Sequence, residues 1–291
     1  MAFSVMRRVH GSGFCGAVCL LLLCCLPYPA SAQDSLVLAV HPYLPFDELM
    51  ERYTPLADYL GNQLERTVEV RIGSNYADHM GYVGRDEVDI AFMGPALYVE
   101  LVDKYGEKPL LARLEIDGKP FFHGKIITRV GSPLTRLADL RGRRFAFGDP
   151  ESTMSHLVPR FMLLQAGITT DDLADYRYLG SHTNVALGVL AGDFDAGAVK
   201  EEVFFQFEQQ GLQALATTPA FSEHVFVARS TLPPQTVAAL QEALYRLKDT
   251  REGRAILAGI KEGLSGLVSV RDSDYDNLRK VLNILHRKGI H

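Results

Sequence analysis

Three hydroxyls and a histidine crowd one ten-residue run: Phe147-Gly148-Asp149-Pro150-Glu151-Ser152-Thr153-Met154-Ser155-His156. The run follows a short apolar stretch, residues 144–147, that reads as a strand, and it leads into an amphipathic helical pattern over 157–166. Hydroxyls at a helix start lie beside backbone N–H groups that have no intrahelical partner. Those N–H groups and the positive end of the helix dipole face the same way, which suits an anion. The other reading of the same residues is that Ser152 or Ser155 caps the helix. Both readings use the same donors, so the local sequence leaves them open.

No other chemistry assembles from the sequence. It contains no G-x-S-x-G, no Walker loop and no G-x-G-x-x-G. The histidines show no HxxxH or HxH spacing, so no metal site is expected, and no cofactor. An exported enzyme acting on phosphate esters or glycans would need a metal cluster, an activated nucleophile or paired acids. None can be put together here, so the chain is expected not to be an enzyme.

Residues 1–32 read as a secretory signal peptide. Arg7 and Arg8 precede an apolar run from Phe14 to Leu26, and Ala30-Ser31-Ala32 supplies an A-x-A cleavage pattern. The expected location is therefore the periplasm. All four cysteines (Cys15, Cys19, Cys24, Cys25) fall in this leader, so no disulfide or thiolate site is expected after it. Cys24 is a rival lipidation site, but Leu23 before it is not the small residue such sites prefer. The net charge is −5 for the whole chain, and the leader carries two arginines and no acid, so the remainder is more acidic still. That balance argues against nucleic acid and anionic membranes as partners, though not against a small anion held by dipoles and neutral donors.

Strand and helix patterns alternate along the rest. Strands are expected at 35–40, 67–72, 88–93, 110–116, 121–129, 144–147, 176–179, 195–199, 212–217 and 224–228. Helices are expected at 55–64 (with Thr54 as cap and Pro55 opening it), 77–83, 96–105, 155–166, 182–191, 201–210, 234–248, 251–259 and 275–286. Asp117-Gly118 reads as a hairpin turn between the strands on either side. The order implies an α/β fold of two lobes, each a mostly parallel sheet flanked by helices. Residues 33–125 with 223–291 would form one lobe and 126–222 the other. Two chain crossings make a hinge, with a ligand cleft at the strand ends.

Four stretches carry a family likeness: 88–98 (VDIAFMGPALY), 139–153 (DLRGRRFAFGDPEST), 180–182 (GSH) and 192–199 (GDFDAGAV). With them the chain resembles the periplasmic phosphonate/phosphite/phosphate-binding proteins of ABC importers, of the type 2 periplasmic binding protein fold. The resemblance implies a protein that closes on a small oxyanion and delivers it to a membrane permease. A periplasmic ligand sensor signalling to a membrane receptor such as a sensor kinase uses the same cleft and is the alternative. A monomer is the family expectation.

By position, the resemblance makes Ser152 and Thr153 the anion-holding pair, His182 a cleft histidine and Tyr98 a tyrosine of the opposite lobe. Glu202 falls near an acid that reads a ligand amine in some members, and Lys200 beside it could pair with it or with an anion. Tyr43 and Tyr76 are aromatic wall candidates. The plainer readings are a solvent-facing helix start for His182, core for Tyr98 and a solvated acid for Glu202. Where the family often has Ser-Thr-Ser-Gly, this chain has Ser152-Thr153-Met154-Ser155. Glycine there lets the backbone approach a ligand. Either Ser155 restores the lost hydroxyl one position along, or the pocket is narrower and built for something else.

Overall fold

The computed structural model describes Met1 and residues 35–290. The expected signal segment, with all four cysteines, lies beyond Met1 outside the described residues. Among the described residues no helix is long and apolar enough to cross a membrane.

The chain runs β1 (Leu36–Val40), α1 (Phe46–Leu64), β2 (Val68–Ile72), α2 (Tyr76–Gly84), β3 (Ile90–Met93), α3 (Pro95–Tyr105), β4 (Leu110–Ile116), β5 (Phe121–Phe122) and β6 (Gly124–Arg129). It continues β7 (Arg144–Phe147), α4 (Val158–Gln165), β8 (Asp175–Tyr178), α5 (His182–Ala191), β9 (Ala196–Lys200), α6 (Glu201–Glu208), β10 (Leu212–Thr217) and β11 (Phe221–Ser222). It ends β12 (Val225–Ala228), α7 (Pro234–Arg246), α8 (Arg251–Ile260), β13 (Leu264–Val268) and α9 (Asp276–Arg287).

Two mixed sheets result. One has the order β13-β4-β12-β3-β1-β2, the other β10-β6-β9-β7-β8. In each, three strands are parallel neighbours: β3-β1-β2 in the first and β9-β7-β8 in the second. The inner ones, β1, β3, β7 and β9, are largely buried, as strands covered on both faces are, Ile90–Met93 throughout, whereas β2 alternates and β8 is exposed at the sheet edges. Antiparallel strands extend both sheets. A two-stranded ribbon of β5 and β11 lies where the chain leaves one sheet for the other and returns.

Three departures from the expected elements have physical causes. Helix α1 begins at Phe46, well before the expected start at Pro55. Its buried stripe Leu49, Tyr53, Leu56, Ala57, Leu60 runs straight through the proline, and Thr54 Oγ1 donates to the Met50 carbonyl at 2.7 Å rather than capping a new helix. Asp117 and Gly118 do form a tight turn, with φ of 48° and 73° and Ile116 paired to Lys119. The strands beside it nevertheless separate: β4 pairs with β12 and β13, β5 with β11, and β6 with β9 and β10. β13 was not expected. Its run Leu264-Ser265-Gly266-Leu267-Val268 pairs antiparallel to β4 as the sheet's edge, with a register irregularity at Gly266.

Candidate functional site

All six parallel strands end at one cavity of about 480 Å3. From the first sheet, β1 delivers His41 and Tyr43, β2 leads to Tyr76, and β3 to Gly94 and Pro95. From the second, β7 leads to Asp149–Ser155, β8 to Ser181 and His182, and Lys200 closes β9. The carboxyl ends of parallel strands, where helices start, are the expected place for a ligand in an α/β fold. The volume falls in the range of roughly 300–1,000 Å3 typical of small-molecule sites.

The Ser-Thr run divides its work. Ser152 caps the turn that follows, its Oγ accepting the Ser155 N–H at 3.2 Å. A π-type turn, Thr153–Leu157, then runs into α4. Thr153 Oγ1 accepts the Ala96 N–H at 3.2 Å, joining the loop after β7 to the start of α3. Ser155 lines the cavity, is 1% exposed, and its hydroxyl has no hydrogen-bond partner. Ser155 can stand there because residue 148 is glycine: a Cβ on Gly148 would lie 2.1 Å from Ser155 Oγ. Met154, also on the cavity lining, packs against Gly124 and Thr218, whose Oγ1 reaches its sulfur at 3.7 Å.

A second helix mouth adds to the first. Ser181 caps α5, accepting the Asn184 N–H at 3.1 Å, and His182 follows. The Lys200 N–H donates to His182 Nδ1 at 3.0 Å, so Nε2 carries the ring proton of the neutral form. Burial, then the charges of Lys200, His224 and Lys261, push the His182 pKa down to about 3. His182 is therefore a neutral N–H donor at neutral pH. His41 has the opposite tautomer: its Nδ1 donates to the Phe92 carbonyl at 3.1 Å, leaving Nε2 as an acceptor, and burial holds its pKa well below the usual range. His41 stacks on His224 with 18° between the rings.

The charged groups of the cavity are largely paired. Arg52 binds Glu48 at 2.5 Å and the Ile260 carbonyl at 2.8 Å. Lys261 lies 3.2 Å from Glu202 and 3.4 Å from Glu223, and Lys200 lies 2.8 Å from Glu202. Burial alone would raise the pKa of Glu223, but Lys261 and His224 hold it down at about 2. Among the described residues no three His, Cys, Asp or Glu side chains converge as a metal site.

Of the residues singled out in the sequence, Tyr43, Tyr76, Ser152, Thr153, Ser155 and His182 line this cavity. Tyr98 does not. It is fully buried, donates to Asp272 at 2.8 Å and packs on Tyr275 at 4.7 Å between ring centroids. Its position on α3 turns it into the core, the ordinary fate of an aromatic at helical spacing. Glu202 stands behind the cavity wall, held by Lys200 and Lys261. Sequence reasoning missed Arg52 and Glu48, which the late helix start left outside α1. It also missed Lys261, which no motif marks, and His41 and His224, single histidines just past one strand and just before another.

Residues 38–275 match the family described as ABC transporter, phosphonate, periplasmic substrate-binding protein. The phosphate-import protein PhnD of Mycolicibacterium smegmatis is 26% identical over 312 residues, covering 95% of this chain and 97% of that protein. The phosphonates-binding periplasmic protein of Escherichia coli is 24% identical over 220 residues, 72% of this chain and 65% of that one. A solved structure of PhnD1 from Prochlorococcus marinus, in complex with methylphosphonate, superposes with a TM-score of 0.77 at 21% identity, covering 87% of this chain and 98% of that one.

Proposed function

The chain belongs to the periplasmic substrate-binding proteins of ABC phosphonate transporters and is not an enzyme, and from that premise we propose that its cavity holds a phosphorus oxyanion of the phosphonate, phosphite or phosphate type. The observation that carries this reading is the Ser155 hydroxyl, buried and without a partner, at a helix mouth on the cavity wall. A buried hydroxyl left unsatisfied costs free energy, and an anion at that spot removes the cost. Thr153, the His182 Nε2–H and the free N–H groups at the starts of the turn at 153 and of α5 supply further donors. Names of relatives point the same way: one is called a phosphate-import protein, another a phosphonates-binding protein.

Binding works by hinge closure. One lobe is residues 33–125 with 223–291, the other 126–222. The contacts of Thr153 with Ala96 and of Glu202 with Lys261 then bridge the lobes and form only when they close. The closed protein, a monomer exported by its N-terminal signal segment, presents the ligand to the permease of the importer. Nucleic acid has no part in this.

Thermal unfolding with phosphate, phosphite, methylphosphonate, aminoethylphosphonate and sulfate tests the reading, because a ligand that binds only the folded state raises the midpoint. At least one phosphorus oxyanion is expected to raise it, and sulfate to raise it less. A panel with no shift, or with a shift for sulfate alone, refutes the assignment.

A further inference from the structure

The cavity is too large for an oxyanion alone. Its 480 Å3 is the share of roughly sixteen liquid waters, whereas a phosphoryl group has only a handful of heavy atoms. That leaves room for a second part of the ligand, and the charged side chains that share the cavity with the hydroxyl loop indicate its chemistry.

These are Lys200 at the end of β9 and Lys261 just after α8. Both ammonium-bearing side chains line the cavity, while Glu202 and Glu223, which pair with them, lie behind. Each carboxylate oxygen is already engaged. Glu202 Oε1 meets Lys261 and Oε2 meets Lys200; Glu223 Oε1 meets Lys261 and Oε2 accepts both the N–H and the Nδ1–H of His224. An ammonium group has three N–H donors. Lys200 spends one on Glu202, and Lys261 spends two on Glu202 and Glu223, so each keeps at least one.

Resting on the proposed phosphorus oxyanion site, we infer that the ligand is an organophosphonate whose carbon chain ends in a second acceptor, a carboxylate above all. A terminal ammonium would meet two cations here and would have to compete with Lys200 and Lys261 for carboxylate oxygens they already engage. Of the cavity's other acids, Glu48 gives its Oε1 to Arg52. Asp149 and Glu151 belong to the loop that holds the phosphoryl itself, where Asp149 Oδ1 accepts the Glu151 N–H at 2.8 Å, although Glu151 Oε2 is unpartnered.

Calorimetric titration of the full chain with methylphosphonate, phosphonoacetate and aminoethylphosphonate tests this. Phosphonoacetate is expected to bind about tenfold or more tighter than methylphosphonate, the gain of one charge-assisted contact, and aminoethylphosphonate more weakly than phosphonoacetate. Lys200→Gln, which keeps a donor toward Glu202, should shrink the ratio of the first two affinities; Glu202→Gln, which releases the lysines, should enlarge it. If methylphosphonate binds while the carboxylate adds nothing, or aminoethylphosphonate binds tightest, or Glu202→Gln selectively weakens aminoethylphosphonate, the second-group assignment falls and the oxyanion site stands. If none of the three binds while phosphate or phosphite does, the organophosphonate inference falls and the oxyanion site stands; if no phosphorus oxyanion binds, both are wrong.

Discussion

Replacing Ser155 by alanine should push stability and binding in opposite directions. In the closed arrangement the Ser155 hydroxyl is buried at 1% exposure without a protein partner, so closing the lobes without a ligand carries its desolvation cost with nothing in return. Such an unsatisfied group costs about 1–3 kcal/mol. Deleting it should leave the unliganded Tm unchanged or raise it, with about 1 kcal/mol moving Tm by about 2–4 °C in a chain of this size. Binding should suffer, because a hydrogen bond to a charged group contributes about 1.5–3 kcal/mol. That corresponds to a Kd about 10- to 150-fold higher for the phosphorus oxyanion that binds the native protein best. Ser152→Ala is the contrasting control. It removes the acceptor of the Ser155 N–H, so it should cost about 1 kcal/mol of unliganded stability. Chemical unfolding and calorimetric titration measure the two quantities separately. If Ser155→Ala loses stability and leaves Kd unchanged, the hydroxyl belongs to the fold and not to a ligand.

Thr153→Ala removes the acceptor that holds the Ala96 N–H, and titration should show Kd rising several-fold, the weight of one neutral hydrogen bond of about 1 kcal/mol together with any direct contact. Tyr98→Phe should lower unliganded stability by about 1 kcal/mol through its lost bond to Asp272 and leave ligand affinity alone; a large rise in Kd would put Tyr98 back at the ligand. Stability should fall as pH drops from about 6.5 to about 4, because burial lowers the His79 and His156 pKa values to about 4 and the unfolded chain takes up those protons first. Each contributes at most about 3 kcal/mol over that window, and urea unfolding at a series of pH values would register flat stability if the two rings were protonated in the folded state.

Much of the site was legible because strand and helix patterns fix which loops face the cleft. Ser152, Thr153 and Ser155 were picked out as hydroxyls at a helix start, the family resemblance added Tyr43, Tyr76 and His182, and all six stand on the cavity wall. What stayed illegible depends on side-chain direction and distant pairing. Tyr98 follows the right strand, yet the turn of α3 aims it at Tyr275 and Asp272. The capping and anion readings of the Ser-Thr run looked like rivals in one dimension. Three-dimensional packing separates them, with Ser152 capping and Ser155 free, because Gly148 gives Ser155 its room. Arg52 was hidden by Pro55, which suggests a helix start to any local reading; only the buried stripe from Leu49 to Leu60 overrides it. Lys261 was invisible for a different reason. Nothing near it in sequence marks it, and its partners Glu202 and Glu223 come from remote elements.

The magnitudes bear on how an acidic chain grips an anion at all. The whole chain has a net charge of −5, and Arg52, Lys200 and Lys261 at the cavity are each paired with a carboxylate. Three hydrogen bonds from neutral donors to a charged oxyanion give about 4.5–9 kcal/mol gross. Association costs at least about 4 kcal/mol, while micromolar affinity needs about 8 net. Ser155, Thr153 and His182 alone therefore fall short for a bare oxyanion. Two sources remain: the free N–H groups of the two helix mouths, strengthened by their dipoles, and the lysine wall. The first helps every oxyanion equally. The second rewards a ligand that spans the cavity, so on the inference above selectivity among phosphonates is expected to move with Lys200 and Lys261 more than with the Ser-Thr run.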